Sequence, residues 1–206
     1  MRAEARTRGE LDALGALNAP IATQRLRLEP LTAAHADAMF EPLQDDAIYR
    51  WISATAPSSI QALRERWARH ESRVSPDGSE AWLNWAVQRT SDGVYVGKVD
   101  VSIGEADTAT NVGYIFFPAF WGQGLATEAV VAVVDHLIGV GVTRLVATVT
   151  AGNAASARVL TKAGFAFTRV IPGNDIIRGV AHDDEEYIRI AHTSRSAPGW
   201  GASRPG

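Results

Sequence analysis

The chain has 206 residues, of which 46% are hydrophobic and 21% are charged, so it can bury a core and is not disordered throughout. Its net charge of −3 argues against a dedicated nucleic-acid binder, and the absence of cysteine excludes disulfides, thiolate metal sites and a cysteine nucleophile. No apolar run reaches the roughly 18 residues of a membrane span, and the N-terminus lacks the apolar stretch of a signal peptide, so we expect a soluble, cytoplasmic protein.

Composition divides the chain into three parts. Residues 1–20 form an N-terminal extension, with a short helix predicted over residues 9–17. Residues 21–192 carry one continuous pattern of elements and are predicted to form a single domain. Residues 193–206 are rich in Ser, Gly and Pro, a composition typical of a disordered tail.

Hydrophobic periodicity and turn residues predict the elements of this domain in chain order. They are a strand (25–29), helices (32–40 and 60–74), strands (82–88, 94–103 and 111–117), a helix (122–138), a strand (144–150), a helix (153–163) and two strands (165–171 and 186–191). This order predicts an α/β fold with one central mixed sheet.

The strand over residues 111–117 runs into a glycine-bearing loop and then into a helix N-terminus. Backbone N–H groups there lack partners and the helix dipole adds positive charge, so the segment is suited to an anion. Gly122 and Gly124 let a phosphate approach the backbone, Ala126 keeps the first turn small, and Thr127 adds a hydroxyl. The Walker and dinucleotide patterns are absent, and a plain helix start with two turn glycines is the alternative interpretation.

The next predicted helix begins at Asn153, which is a natural N-cap. Ser156 shares a helix face with Val159, Leu160 and Ala163, so its hydroxyl is expected to point toward the sheet. Such a hydroxyl either bonds a backbone carbonyl or faces into a cleft.

Three segments together resemble the GNAT superfamily of acyl-CoA-dependent N-acyltransferases. They are Thr23-Gln24-Arg25-Leu26-Arg27-Leu28, residues 113–129, and Asn153-x-x-Ser156 through Gly164-Phe165. Within the superfamily the chain is most similar to ribosomal-protein N-terminal acetyltransferases of the RimJ/RimL type. The resemblance covers about residues 22–192 and implies the GNAT fold, a central and mostly antiparallel sheet flanked by helices.

The resemblance also implies where acetyl-CoA, or another acyl-CoA, binds. The loop matched by residues 121–126 holds the pyrophosphate on its N–H groups, and the strand matched by residues 115–117 pairs with the pantetheine arm where it splays from its neighbour. Asn153 matches a pantetheine contact. The expected binding residues are Ile115, Phe116, Phe117, Trp121, Gly122, Gln123, Gly124, Leu125, Ala126, Thr127, Asn153 and Ser156.

Two catalytic residues are implied by the same resemblance. Ser156 matches a hydroxyl that protonates the departing thiolate, and Asp175 matches a general base that is usually glutamate. Asp175 either takes the ammonium proton, through one water, or holds the acceptor as an ammonium. The chain departs from the family pattern at Trp121, where many relatives carry Arg or Gln, and at Asn111, where related enzymes carry a Glu base.

Other polar and aromatic residues have plainer interpretations. The five histidines show no His-x-x-x-His pairing, so no metal site is predicted, and His136 is interpreted as a core histidine. Asp100 is expected at a solvent-facing strand position, with the cleft as the alternative. The acidic run 182–186 is expected to be a solvated turn, with attraction of a cationic amine as the alternative, and Trp51 is expected to line a substrate wall.

The sequence therefore predicts an N-acetyltransferase that moves an acetyl or other short acyl group from acyl-CoA to a primary amine. Direct attack in a ternary complex is expected, because a thioester-enzyme intermediate needs cysteine. The expected partners are acyl-CoA and an amine acceptor, either a peptide N-terminus or a small amine such as an antibiotic or polyamine. No nucleic acid, membrane or metal is expected, and a homodimer is an option. The alternative is a non-catalytic acyl-CoA-binding sensor or assembly module.

Overall fold

One mixed sheet organises the computed structural model, which describes residues 14–104 and 108–191. Within those ranges the strands are β1 (Ile21–Ala22), β2 (Leu26–Pro30), β3 (Ala81–Arg89), β4 (Tyr95–Ile103), β5 (Thr108–Phe116), β6 (Arg144–Thr150), β7 (Ala166–Ile177) and β8 (Val180–Ile190). Their order across the sheet is β1-β2-β3-β4-β5-β6-β8-β7. Only the β5–β6 pair among these strands is parallel, so the predicted sheet, mixed and mostly antiparallel, is confirmed.

Helices lie between the strands as predicted, with differences at their ends. They are α1 (Ala36–Met39), α2 (Ile60–His70), α3 (Leu125–Gly139) and α4 (Ala154–Lys162). The hydroxyl of Ser59 accepts the N–H of Ala62 at 3.1 Å and so begins α2. The predicted continuation of α2 to residue 74 is wrong, because Arg73 adopts a φ of 57° and Val74 forms a bridge with Ala81 instead.

Helices cover both faces of the sheet. Alternate residues of β3 point to opposite faces, so Trp85 belongs to one buried cluster and Ala86 to the other. The larger cluster packs the apolar face of α3, including Val130 and Val133, against the sheet. The smaller cluster joins Trp67 of α2 to the other face. The core therefore fixes α3, which follows the glycine loop, firmly on the sheet.

The last two strands are longer than predicted. Residues 172–185 were expected to link two strands, but they belong to the β7–β8 hairpin, so the solvated turn predicted for residues 182–186 is wrong. The acidic side chains find partners across or along the hairpin. Glu186 forms an ion pair with Arg169 at 3.1 Å, and Glu185 accepts the hydroxyl of Tyr187 at 2.7 Å.

The described part of the N-terminal extension packs on the domain. Residues 14–17 are helical, Asn18 donates to the carbonyl of Asn84 at 3.3 Å, and Trp85 donates to the carbonyl of Ala19 at 2.9 Å. Residues 9–13 of the predicted helix and the tail 193–206 lie outside the described residues, so the three-part division stays a prediction. No helix in the described ranges has the length and apolarity needed to cross a membrane.

Candidate active site

A cavity of about 860 Å³ opens where β5 and β6 separate. In the described residues these strands pair only at Thr108 with Arg144 and at Ala109 with Leu145, although both continue well beyond that point. Backbone polar groups at an unpaired strand edge need hydrogen-bond partners. The cavity therefore offers a strand edge to an extended ligand that carries amide groups.

The glycine loop forms another part of the cavity wall. Gly122 and Gly124 both have a φ of 76°, in the left-handed region that favours glycine, and Gly124 is the N-cap of α3. A glycine cap has no side chain to accept the first N–H groups of the helix, so these donors are left for an anion. Leu125, Ala126 and Thr127 line the cavity with the two glycines.

Hydrogen bonds of Glu128 and Arg25 connect this loop and the first turn of α3 to the start of β2. One carboxylate oxygen of Glu128 accepts the hydroxyl of Thr23 at 2.6 Å and the N–H of Arg25 at 2.9 Å. The other accepts Nε of Arg25 at 2.6 Å, and Nη1 of Arg25 donates to the carbonyl of Gln123 at 3.0 Å. Burial alone raises the pKa of Glu128, but these hydrogen bonds outweigh it and hold the pKa below its ordinary value. Glu128 therefore stays ionised and the loop backbone is fixed.

Two of the predicted acyl-CoA residues do not line the cavity. Phe117 is buried in the core and donates its N–H to β4. The side-chain amide of Gln123 donates to the carbonyl of Ala119, and the Gln123 carbonyl accepts Arg25. The other ten predicted residues all line the cavity. Among them Trp121 is 51% exposed, and its indole N–H donates to the carbonyl of Phe116 at 2.6 Å, so it covers the end of β5.

Ser156 forms a hydroxyl pair with Tyr114, which lies on β5. Asn153 accepts the N–H of Ser156 at 3.2 Å, as an N-cap does. The two hydroxyl oxygens of Ser156 and Tyr114 are 2.7 Å apart, and Tyr114 donates to the carbonyl of Ser156 at 3.1 Å. Burial raises the pKa of Tyr114 to about 12, so its phenol is neutral at physiological pH. Tyr114 is not recognisable as a site residue from the sequence, because its partner is 42 residues away.

Two aspartates of the cavity wall lie on strands and not in a loop. Asp175 lies in β7, lines the cavity and accepts the N–H of Ile176 at 2.8 Å. Asp100 also lines it, paired with Lys98, so the expected solvent-facing position is wrong. The reason is Gly113 on the neighbouring strand, since a Cβ there would lie 2.7 Å from the Asp100 carboxylate.

Two further residues line the cavity, Trp51, which was expected there, and Asp184, which was expected in a solvated turn. Trp51 lines the wall, as predicted, and its carbonyl accepts the hydroxyl of Thr150 at 3.0 Å. Asp184, predicted in a solvated turn, is instead a buried member of β8 that lines the cavity. His136 bonds the carbonyls of Ala16 and Leu17 and does not line it.

Comparison with known proteins gives a consistent result. The family model described as an acetyltransferase (GNAT) domain matches residues 25–166. A curated relative, the uncharacterized N-acetyltransferase YoaA of Bacillus subtilis, is 23% identical over 167 residues, which is 80% of this chain and 93% of that protein.

Solved structures share the fold. RimL, a ribosomal alpha-N-protein acetyltransferase solved with coenzyme A, is 18% identical with a TM-score of 0.73, over 84% of this chain and 98% of its own. RimJ of Mycobacterium smegmatis, solved with a CoA disulfide, is 21% identical with a TM-score of 0.72, over 84% and 86%. At these identities the likeness establishes the architecture of the chain.

Proposed function

Because the chain belongs to the GNAT family of N-acetyltransferases, we propose that it transfers an acetyl group from acetyl-CoA to a primary amine. One observation carries this proposal. A single cavity is lined by the separated strands β5 and β6, by the glycine loop and by Ser156. Homologues of this family bind coenzyme A, and the structure of RimL contains it.

The residues present fit acetyl-CoA as a substrate. The open edge of β5 supplies hydrogen-bonding groups at strand spacing for the amides of the pantetheine arm. The loop at Gly122 and Gly124 supplies N–H groups for the pyrophosphate. Arg158 and Lys162 on α4 also line the cavity, and their positive charge favours a polyanionic ligand.

Positioning accounts for most of the proposed catalysis. The amine nitrogen attacks the thioester carbonyl, a carbon–nitrogen bond forms, and the carbon–sulfur bond breaks. Backbone N–H groups of β5 polarise the carbonyl oxygen. Ser156 donates a proton to the leaving sulfur and regains one from the second proton that the attacking nitrogen loses, and Tyr114 keeps that hydroxyl in place. Asp175 receives the proton of the incoming ammonium and passes it to solvent.

The choice of acceptor is tested by incubating the protein with acetyl-CoA and a panel of amines. The panel contains short peptides with free and with blocked N-termini, polyamines and aminoglycosides. Mass spectrometry of the products is expected to show acetylation of free primary amines and none of the blocked peptides. Binding of acetyl-CoA without any acetylated product would favour an acyl-CoA-binding module and contradict the proposal.

A further inference from the structure

Asp184 is a residue of the cavity wall that has one unsatisfied carboxylate oxygen. The residue is only 5% exposed, yet it lines the cavity wall. Its Oδ2 accepts the side-chain amide of Asn174 at 2.8 Å, whereas its buried Oδ1 has no hydrogen-bond partner among the described residues. A buried polar atom without a partner is costly, and in a cavity wall a ligand can supply the missing donor.

The lack of an ion-pair partner for Asp184 in the described ranges favours a cation as that donor. Neither Asp184 nor Asp175 forms an ion pair within residues 14–104 and 108–191, whereas Asp100, the third carboxylate of the cavity, is paired with Lys98. His182, the cross-strand neighbour of Asp175, does not line this cavity. A neutral donor would satisfy the oxygen and leave the charge, but a cation satisfies both.

An organic cation fits this wall better than a metal ion. No group of three or more His, Asp or Glu residues in the described part of the chain is placed to hold a metal. A primary ammonium carries three N–H donors in a small volume, so it can satisfy the unpaired oxygen of Asp184 and still donate to other groups of the wall.

We infer that Asp184 is the ammonium-binding residue of the acceptor site, and that the acceptor enters as a cation. Its Oδ1 accepts an N–H of the ammonium, while Asn174 fixes the carboxylate through Oδ2. Asp175 is more exposed than Asp184 and takes the proton. The inference rests on the proposed function in treating this cavity as the acceptor site.

The test observes the carboxylate itself. Protein labelled with carbon-13 at the aspartate Cγ is titrated at neutral pH with n-butylammonium, and separately with n-butanol as the neutral analogue. The Asp184 signal is identified as the one missing in Asp184→Asn, or in Asp184→Glu if the first variant does not fold. We expect n-butylammonium to shift this signal and n-butanol to leave it unchanged.

Matched variants separate a local contact from a general charge effect. Asp184→Asn is expected to weaken n-butylammonium binding by roughly tenfold or more. Asp183→Asn removes the same charge one residue away, from an exposed side chain that does not line the cavity, and is expected to leave binding unchanged. An Asp184 signal that does not move, that moves equally with n-butanol, or an equal loss in both variants would overturn the inference.

This readout does not depend on acetyl transfer. Binding of n-butylammonium at Asp184 without acetylation of any amine would support the inference and contradict the proposed function. Acetylation with the same amine KM in Asp184→Asn as in the parent would contradict the inference and leave the proposed function standing.

Discussion

The hydroxyl of Tyr114 lies 2.7 Å from the hydroxyl of Ser156 and joins β5 to the first turn of α4 across the cavity. Tyr114 has one proton and donates it to the carbonyl of Ser156. Either hydroxyl can be the donor between the two oxygens, and when Tyr114 donates to the carbonyl it is the Ser156 hydroxyl, which has one proton that it can redirect to a leaving sulfur. The pair places the proposed acid on two rigid elements rather than on a loop.

Removing the Ser156 hydroxyl tests its chemical role. Ser156→Ala is expected to lower kcat roughly ten- to a hundredfold with little change in the KM for acetyl-CoA, because a thiolate is a good leaving group and needs limited assistance. Steady-state kinetics measure both values. Thr161→Ala is the control, since its hydroxyl lies on the same helix but bonds the carbonyl of Ala157 outside the cavity. An unchanged kcat in Ser156→Ala would leave Ser156 with a purely structural role.

The buried phenol of Tyr114 predicts a stability change at high pH. Its pKa is about 12 in the folded chain and about 10 in the unfolded chain, so the unfolded state loses the proton first. Stability is therefore full below about pH 10 and falls as the pH rises toward 12. Tyr114→Phe is expected to show a shallower decline in urea unfolding over this range. Equal slopes in the parent and the variant would contradict the assigned burial effect.

The glycine loop predicts sensitivity to bulk and negative charge. Gly124→Glu forces a side chain onto a left-handed residue at the anion site, so acetyl-CoA binding is expected to weaken by roughly tenfold or more. Isothermal titration calorimetry measures the Kd. Gly139→Glu adds the same side chain at the far end of α3, where a Cβ meets no atom within 4 Å, and is expected to bind normally. A folded Gly124→Glu protein with parental affinity would show that the loop does not hold the pyrophosphate.

Arg25 is predicted to act on acetyl-CoA through the loop. Arg25→Ala removes the bonds to Glu128 and to the carbonyl of Gln123, so the KM for acetyl-CoA is expected to rise by about three- to tenfold with a small change in kcat. Arg27→Ala, two residues along, removes an exposed arginine whose ion pair is with Glu29 and is expected to change neither value. Equal effects of the two variants would show that the loop does not depend on Arg25.

Asp175 is predicted to accept the proton of the incoming ammonium. Asp175→Asn is expected to lower kcat with little change in the amine KM, because the proton acceptor is gone. Steady-state kinetics over a range of amine concentrations measure both values, with Asp183→Asn as the control for a charge on the same hairpin. A variant that raises only the amine KM and keeps the parental kcat would show that Asp175 orients the acceptor and does not act as the base.

Local sequence patterns were sufficient to predict the elements that have a continuous apolar face. The sequence predicts α3 because its apolar residues recur at helical spacing, and it predicts the loop at Gly122 and Gly124 because a strand ends directly before it. The N-cap role of Asn153 was equally visible, since the cap and the N–H group that it accepts are three residues apart.

Features that depend on distant partners were not visible in the sequence. The run at residues 182–186 has the composition of a turn, and it forms a strand because β6 and β7 pair with it on both sides. The same pairing buries Asp184, and Gly113 makes room for Asp100 from a neighbouring strand. Tyr114 becomes a partner of Ser156 only when the sheet brings them together. Periodicity within one segment contains none of this information.

A crystal structure with acetyl-CoA is the most direct test of the central claim, which is that the strand gap, the glycine loop and Ser156 form one acetyl-CoA site. We predict that the pyrophosphate contacts the N–H groups of residues 122–126, that the pantetheine arm pairs with β5, and that the sulfur lies within hydrogen-bond reach of Ser156. A complex with acetyl-CoA bound outside this cavity, or with its sulfur far from Ser156, would contradict the claim.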